Sequence, residues 1–238
     1  MALTKVIGDG LGSTNDLNVE TAIPNIDIKD TGTAQSSMDF LSNSDTVRAT
    51  IGMERSAGGG LFVGSSAYAA VFGTASSGNT EFATNNNIQM KIDSTGAVTM
   101  PNQPAFLAQP ASSQLNFGVN TTTTVVFGTE VYDQNQDFAS NTFTAPVTGK
   151  YFLGVSLYVS NVDTDATYIQ VDIATSNRYY FELIDPNFTA DINYFPVNIA
   201  VVADMDASDT AFIRFTQGGG NAQADINTDA RFMGYLLG

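Results

Sequence analysis

"FTAPVTGKYFLGVSLYVS", Phe143 to Ser160, decides how the rest of this 238-residue chain is read. From Tyr151 onward, Tyr151, Leu153, Val155, Leu157 and Val159 alternate with Phe152, Ser156 and Tyr158. Successive side chains of a strand point to opposite faces, so this period of two predicts one apolar face and one half-polar face. The second face suits an outer or inter-subunit position. Ahead of the strand, Pro146 presets its φ for a turn, and Gly149 is expected to supply a backbone conformation that other residues avoid. The piece reads as strand, turn, strand.

Runs of the same kind follow on both sides. They are "TTTTVVFGTEVYD" (Thr121–Asp133), "TYIQVDIATSN" (Thr167–Asn177), "YFPVNIAVVADM" (Tyr194–Met205), "TAFIRFTQ" (Thr210–Gln217) and "RFMGYLLG" (Arg231–Gly238). Strands of this length, separated by Gly, Asn and Asp, predict an antiparallel sandwich or jelly roll of about 130 residues. Residues 1–99 differ in texture, with short runs such as "NIDIKD" (Asn25–Asp30), "TVRATIGME" (Thr46–Glu54) and "GLFVGSS" (Gly60–Ser66). In "NIQMKIDSTGAVTM" (Asn87–Met100), Ile88, Met90 and Ile92 oppose Gln89, Lys91 and Asp93, and "DSTG" supplies a hairpin turn. No 3.6-residue apolar stripe with caps occurs, so the expected class is all-β. Pro101, Pro104 and Pro110 mark a seam, giving residues 1–99, a linker or first edge strand at 100–110, and a jelly roll at 111–238. The strands of 1–99 are thin in large apolar side chains and would bury too little alone to offset the entropy of ordering them. Either this segment is disordered or identical chains wrap together to share a core there, and its regular turn signals and recurring aliphatic pairs favour the second.

Composition narrows the chemistry. Nine Lys and Arg against 24 Asp and Glu leave a net charge of −15, spread over both halves. Phosphate contacts need clustered cations, so nucleic acid is not an expected partner. Absence of Cys removes disulfides and thiolate chemistry, and absence of His removes imidazole bases and most transition-metal sites. Catalysis would have to run on carboxylates, Tyr or Lys, and no catalytic pair is nominated. No run approaches the roughly 18–20 apolar residues of a membrane-spanning helix, so membrane insertion is not expected. The first residues develop no apolar h-region, so export through a signal peptide is not expected either.

Three groups of residues are candidate sites. Asp204, Asp206 and Asp209, with Asp225 and Asp229, place hard oxygen ligands at alternate loop positions of the kind that hold Ca²⁺, without the twelve-residue EF-hand spacing. Solvated strand turns are the bland reading of the same residues, and of Asp163 and Asp165. No other cofactor is expected. The segment "NRYYFELIDPNFTADINYFP" is rich in aromatics, whose bland reading is core and subunit-interface packing, and its loop residues Asp185, Asn187, Phe188 and Asn193 are the better candidates for an exposed recognition surface. "RSAGGGLFVG" (Arg55–Gly64) and "TQGGGNAQ" (Thr216–Gln223) lack the phosphate-loop pattern and are expected to be flexible turns.

"FTAPVTGKYFLGVSLYV" resembles the hallmark segment of C1q-like domains, relatives of the tumour necrosis factor fold. That family's Phe–x–Ala–Pro–x–x–Gly–x–Tyr–x–Phe pattern is filled by Phe143, Ala145, Pro146, Gly149 and Tyr151, with Leu153 in the last aromatic place. The ending resembles the family's terminal strand through Phe232 and Gly234, followed by Tyr235, Leu236 and Leu237. "DMDASDTAFIRFTQGGG" resembles its late strand pair, with Ser208–Asp209 where a Gly–Asp turn is usual. The resemblance covers most of 104–238. It implies a jelly-roll head that assembles as a homotrimer, with apolar strand faces at the threefold axis and no enzymatic activity. Collagen-like repeats are missing, which speaks against an animal complement or hormone role.

"MALTKVIGDG" (Met1–Gly10) and "IQMKIDSTGAVTM" (Ile88–Met100) are similar to segments of phage tail-fibre and virion-surface proteins. This second resemblance implies a β-rich shaft or attachment segment over 1–99 that binds a capsid or tail protein. The chain would then sit on the virion surface, capsid or tail, as a head fibre, capsid decoration or tail tip. Its head would meet a host-surface glycan or receptor. The alternatives are a bacterial surface or secreted carbohydrate-binding adhesive module and a carboxylate-dependent glycan hydrolase.

Overall fold

The computed structural model describes residues 36–41, 47–75 and 77–238, and every regular element among them is a strand. The expected all-β class is thereby met. The described chain divides into two compact units, one up to Thr80 together with Ile92–Ala97, the other from Glu81–Lys91 and Val98–Gly238.

In the first unit, β1 (Ser36–Leu41), β2 (Val47–Met53) and β3 (Ala70–Thr74) form an antiparallel sheet in the order β1-β2-β3. Glu54 closes β2 and folds the next loop around itself. Its carboxylate accepts the backbone N–H groups of Gly60 (2.8 Å), Leu61 (2.8 Å) and Phe62 (3.0 Å) and the Ser65 hydroxyl. Gly58, Gly59 and Gly64 take positive φ in this loop, which explains its glycine content. The Ser65 hydroxyl foremost, and then the three amides, hold the Glu54 carboxyl down to about 2 against the opposing effect of burial. "RSAGGGLFVG" is thus a loop wrapped on a carboxylate.

β4 (Thr80–Thr84), β5 (Asn87–Ile92) and β6 (Val98–Thr99) make a small sheet in that order. The expected "DSTG" turn lies between the last two. Asp93 Oδ1 accepts the N–H groups of Thr95 and Ala97, while Gly96 takes φ +92°.

The remaining strands are β7 (Ala105–Gln109), β8 (Thr123–Thr124), β9 (Thr129–Asp133), β10 (Phe138–Ala139), β11 (Thr142–Thr144) and β12 (Gly149–Ser160). After them come β13 (Ala166–Thr175), β14 (Tyr179–Ile184), β15 (Phe195–Met205), β16 (Thr210–Gly219), β17 (Asp225–Ile226) and β18 (Arg231–Leu236). One six-stranded sheet runs β10-β11-β16-β13-β14, with β8 beside β16; the other runs β15-β12-β18-β7-β9, with β17 beside β12. Ala105–Gln109, in the proline-marked seam, is paired on both sides, to β18 and to β9. Side chains from both sheets join one apolar core. Phe106 stacks on Phe138 and Phe143, each at 4.9 Å between ring centroids, and meets Phe232 edge-on at the same distance.

The opening stretch builds one corner of this sandwich. Tyr151, Leu153, Val155, Leu157 and Val159 are all buried, as the alternation predicts. The buried Tyr151 hydroxyl donates to Val147 O at 2.7 Å and so ties the turn to the strand that follows. Ala145 donates its N–H to Asp209 O and accepts Ser208 N–H, which locks the turn against the β15–β16 hairpin. Gly149 departs from expectation. Its φ is not left-handed; it is small because a Cβ there would lie 2.7 Å from Leu236 Cδ1 and 3.1 Å from Gly238 O. Gly234 is similarly enclosed, by Leu153 Cδ2 and Phe106 Cε1 at 2.8 Å.

Two further differences have physical causes. Thr121–Asp133 is two strands, because the chain changes sheets: β8 pairs with β16 and β9 with β7. Between them Val125 N–H bonds Ile213 O, Phe127 N–H bonds Asn141 Oδ1, and both side chains enter the core. Tyr179–Ile184, read from sequence only as an aromatic segment, is the edge strand β14. Tyr180 and Ile184 turn inward, while Tyr179, Phe181 and Leu183 face out.

Candidate functional site

Two outward faces of the sandwich carry large apolar side chains. The first covers the sheet centred on β12, whose outward residues are Phe152, Gly154, Ser156 and Tyr158. Cross-strand pairing sets Val202, Phe152 and Tyr235 in one row and Ala200, Gly154, Met233 and Leu107 in the next. Phe152 and Tyr235 stack at 5.1 Å. Val202 and Tyr235 are largely exposed, and Gly154 floors a concavity of about 260 Å³ lined by Phe152, Ala200 and Met233. The next row, Asn198, Ser156 and Arg231, is polar. This is the half-polar face expected from the alternation, with its apolar part concentrated toward one end of the strands.

The second face lies on β14 and its neighbours. Tyr179, Phe181 and Leu183 are more than half exposed and stand opposite Ala174, Asp172 and Gln170 of β13. Asp172 is only 1% exposed and is held there by Arg214, whose Nε and Nη2 lie 3.0 and 2.9 Å from Oδ2. Gln170 Nε2 donates to its other oxygen at 2.6 Å. The Arg214 guanidinium also sits 4.1 Å above the Tyr179 ring. A satisfied buried ion pair thus fixes the floor beside an exposed aromatic stripe.

The candidate calcium ligands stand on the β15–β16 hairpin and in and just after β17. Asp204 pairs with Arg178 at 3.2 Å, and Asp209 Oδ2 accepts Asp206 N–H and Asn177 Nδ2. Asp204 and Asp206 line a concavity of about 240 Å³ with Lys150, Asn177 and Thr148. Asp225 is buried and accepts Asn116 N–H at 2.8 Å and Asn161 Nδ2 at 2.6 Å, whereas Asp229 is exposed. Asp163 accepts the N–H groups of Asp165 and Asn221, which hold its carboxyl below the usual range. Among the described residues no three acidic side chains converge as a metal-holding group. Asp163 and Asp209 accept amides of their own turns, from Asp165 and Asp206.

Of the expected recognition residues, Asp185, Asn187 and Asn193 are exposed, and Phe188 is half-buried with its ring edge on Phe195 at 5.7 Å. The β14 stripe holds Tyr179 and Phe181 of the aromatic segment already singled out, together with Leu183. Strand alternation in "RYYFEL" is the signal that finds it, since Tyr179, Phe181 and Leu183 share one face.

A sequence model of the C1q domain matches residues 105–237, more than half of the chain. The chain belongs to the C1q-domain family. The chain is also similar to solved structures. The globular domain of zebrafish complement 1qA protein is 19% identical over 58% of this chain and 98% of its own, with a TM-score of 0.44. Murine APRIL at pH 8.5 is 12% identical over 57% of this chain and 100% of its own, with a TM-score of 0.41. Among curated proteins, none matches. C1q-type domains are non-enzymatic binding modules that typically form homotrimers. The terminal pattern of this C1q domain, Phe232 with Gly234, is the part packed directly on Phe106.

Proposed function

We propose that the chain is a non-enzymatic homotrimeric binding protein of a phage particle. Residues 1–99 anchor it to a capsid or tail protein, and the C1q-type head meets the host surface. The observation that carries the assembly is the apolar face of β12, β15, β18 and β7. Val202, Phe152, Tyr235, Met233 and Leu107 form a continuous surface with no charge among them. On a chain of net charge −15, such a face is suited to burial against another copy. The viral setting is supported by the segments Met1–Gly10 and Ile88–Met100, whose resemblance to phage virion-surface proteins is independent of the head.

Light scattering tests the assembly. The expected mass is three times 25.2 kDa, falling to one chain mass in Phe152→Asp. A folded, monomeric parent protein would overturn it. Immunogold electron microscopy of the producing culture tests the setting. Label on particles is expected, whereas label confined to a cell envelope would replace the phage reading with that of a bacterial adhesive module.

A further inference from the structure

Residues 100–104, the proline-marked seam ahead of β7, lie in no strand, yet a loop of the head holds their carbonyls. The Gln134 side-chain amide donates to Met100 O at 2.8 Å and to Gln103 O at 2.7 Å. Asn135 Nδ2 donates to Asn102 O at 2.7 Å, and the Gln134 N–H donates to Ala105 O at 2.9 Å. So the carbonyls of Met100, Asn102, Gln103 and Ala105 are all taken by two consecutive residues that follow β9. Met100 O also accepts the Gln103 N–H, which closes the seam into a turn.

The donors are fixed before they reach the seam. Gln134 directly follows β9, whose pairing with β7 sets the position of its backbone. Asp133 closes the loop beyond it: Oδ1 accepts Asp137 N–H at 3.0 Å and Oδ2 accepts Phe138 N–H at 2.9 Å. Phe138 is buried against Phe106, so the loop is rooted in the core at the same ring as β7. An exposed amide bond contributes little when both partners must be ordered to make it. Here the core has already ordered one partner, and the bond serves to order the other.

A second link runs from the seam to β5. Asn102, whose carbonyl accepts Asn135, donates through Nδ2 to Gln89 Oε1 at 2.8 Å and to Ile88 O at 3.3 Å. The bonds form a relay from the loop at Phe138, through Asn135 and Asn102, to Ile88 and Gln89. All of these residues belong to the compact unit that contains the head. Gln89, Asn102, Gln134 and Asn135 are uncharged amides, so salt does not screen the links between them.

We infer that the Gln134–Asn135 loop is a clasp that fixes the seam and β5 to the head, so that the chain does not pivot between β5 and the sandwich. The clasp lies within one chain and stands apart from the trimer and the viral setting proposed above.

Hydrogen exchange in the full-length protein, corrected for intrinsic rates, tests the clasp. The double variant Gln134→Met with Asn135→Leu keeps the size of both side chains and removes their donors. Exchange at Gln103 and across β5 is expected to rise roughly tenfold, while β12 exchanges as in the parent protein. Unchanged rates at Gln103 and β5 would show that the amides hold nothing, and would overturn the inference. A parallel rise in β12 would make the loop part of the head's own fold rather than a clasp upon it, and would equally overturn it. Asn102→Ala cuts the relay outside the loop. It is expected to speed exchange in β5 several-fold and to leave Gln103 and β12 at their parent rates. An unaltered β5 in that variant would remove the link from the seam to the strand.

Discussion

The head and the N-terminal unit use the same strand alternation and reach opposite results. In β12 every second residue from Tyr151 to Val159 is buried, and the buried set meets side chains from a second sheet. In β2 the equivalent alternation sends Ile51 and Met53 outward, with Thr50 and Glu54 beneath a loop. Amphipathic patterning specifies which face is apolar. It does not specify what covers that face. The head finds its cover within one chain, because long antiparallel strands supply a second sheet; in the N-terminal unit Ile51 and Met53 stay about half exposed.

The largest effect that sharpens this contrast is expected from truncating one residue in each place. Phe106→Ala removes the ring that touches Phe138, Phe143 and Phe232, and it should cost about 3–5 kcal/mol in urea unfolding. Ile51→Ala, followed in the same way, should change the head's stability by less than about 0.5 kcal/mol. Both need a fixed chain concentration, since association contributes to apparent stability. Comparable losses in the two variants would break the comparison, because Ile51 would then belong to the cooperative unit of the head.

Next in size is Gly234→Ala. A methyl group there would meet Leu153 Cδ2 and Phe106 Cε1 at 2.8 Å and Phe152 O at 2.9 Å. Overpacking of this kind should cost about 1–3 kcal/mol, read as a lowered urea midpoint at unchanged slope. A neutral result would mean that the core beneath β18 is looser than its contacts indicate.

How much of this was legible in the sequence follows from how local each feature is. Buried Tyr151 to Val159, the Phe143–Ala145–Pro146 turn and the Phe232–Gly234 ending are set within a few residues, and the one-dimensional pattern announces them. The role of Gly149 was not legible, because its constraint comes from Leu236 and Gly238 at the far end of the chain. Nor was the break at Val125–Gly128, where a run of strand-forming residues crosses from one sheet to the other. In the candidate site, the outward Phe152 and Tyr158 were legible from alternation, but their row-mates Val202 and Tyr235 needed the strand order. Asp172 and Arg214 lie 42 positions apart and meet only through the β13–β16 register. The acidic turns admit both readings in the sequence, because spacing alone does not distinguish a carboxylate that binds metal from one that caps its own loop.

A smaller and opposite effect is expected at Ser208, which stands in the β15–β16 turn where the family usually has glycine. Its φ of +77° is strained for a residue with a Cβ. Ser208→Gly relieves about 1–2 kcal/mol of that strain and gives back part of it through a freer unfolded chain, for a net gain of roughly 0.5–1 kcal/mol. A rise of the thermal midpoint at unchanged mass checks this. A fall would mean that the Ser208 side chain stabilises the turn in a way its backbone bonds to Ala145 do not reveal.

The smallest global effect and the sharpest local one belong to Glu54. Its carboxyl is depressed from 4.5 to about 2, chiefly by the Ser65 hydroxyl and then by the amides of Phe62, Gly60 and Leu61. A group whose folded value lies below its unfolded value stabilises the fold fully above the unfolded value and loses that contribution as pH falls through the folded one. The loop should therefore hold its closed form at neutral pH, weaken below about 4.5 and be released near 2. Hydrogen exchange at Gly60, Leu61 and Phe62, compared with the β12 amides after correction for intrinsic rates, reads this directly. Glu54→Gln should speed exchange at those three amides at neutral pH and leave β12 unchanged, because a neutral amide oxygen is the weaker acceptor. If β12 exchange rose in parallel, the loop and the head would share one cooperative unit, and the contrast between the sandwich and the N-terminal sheet would fail.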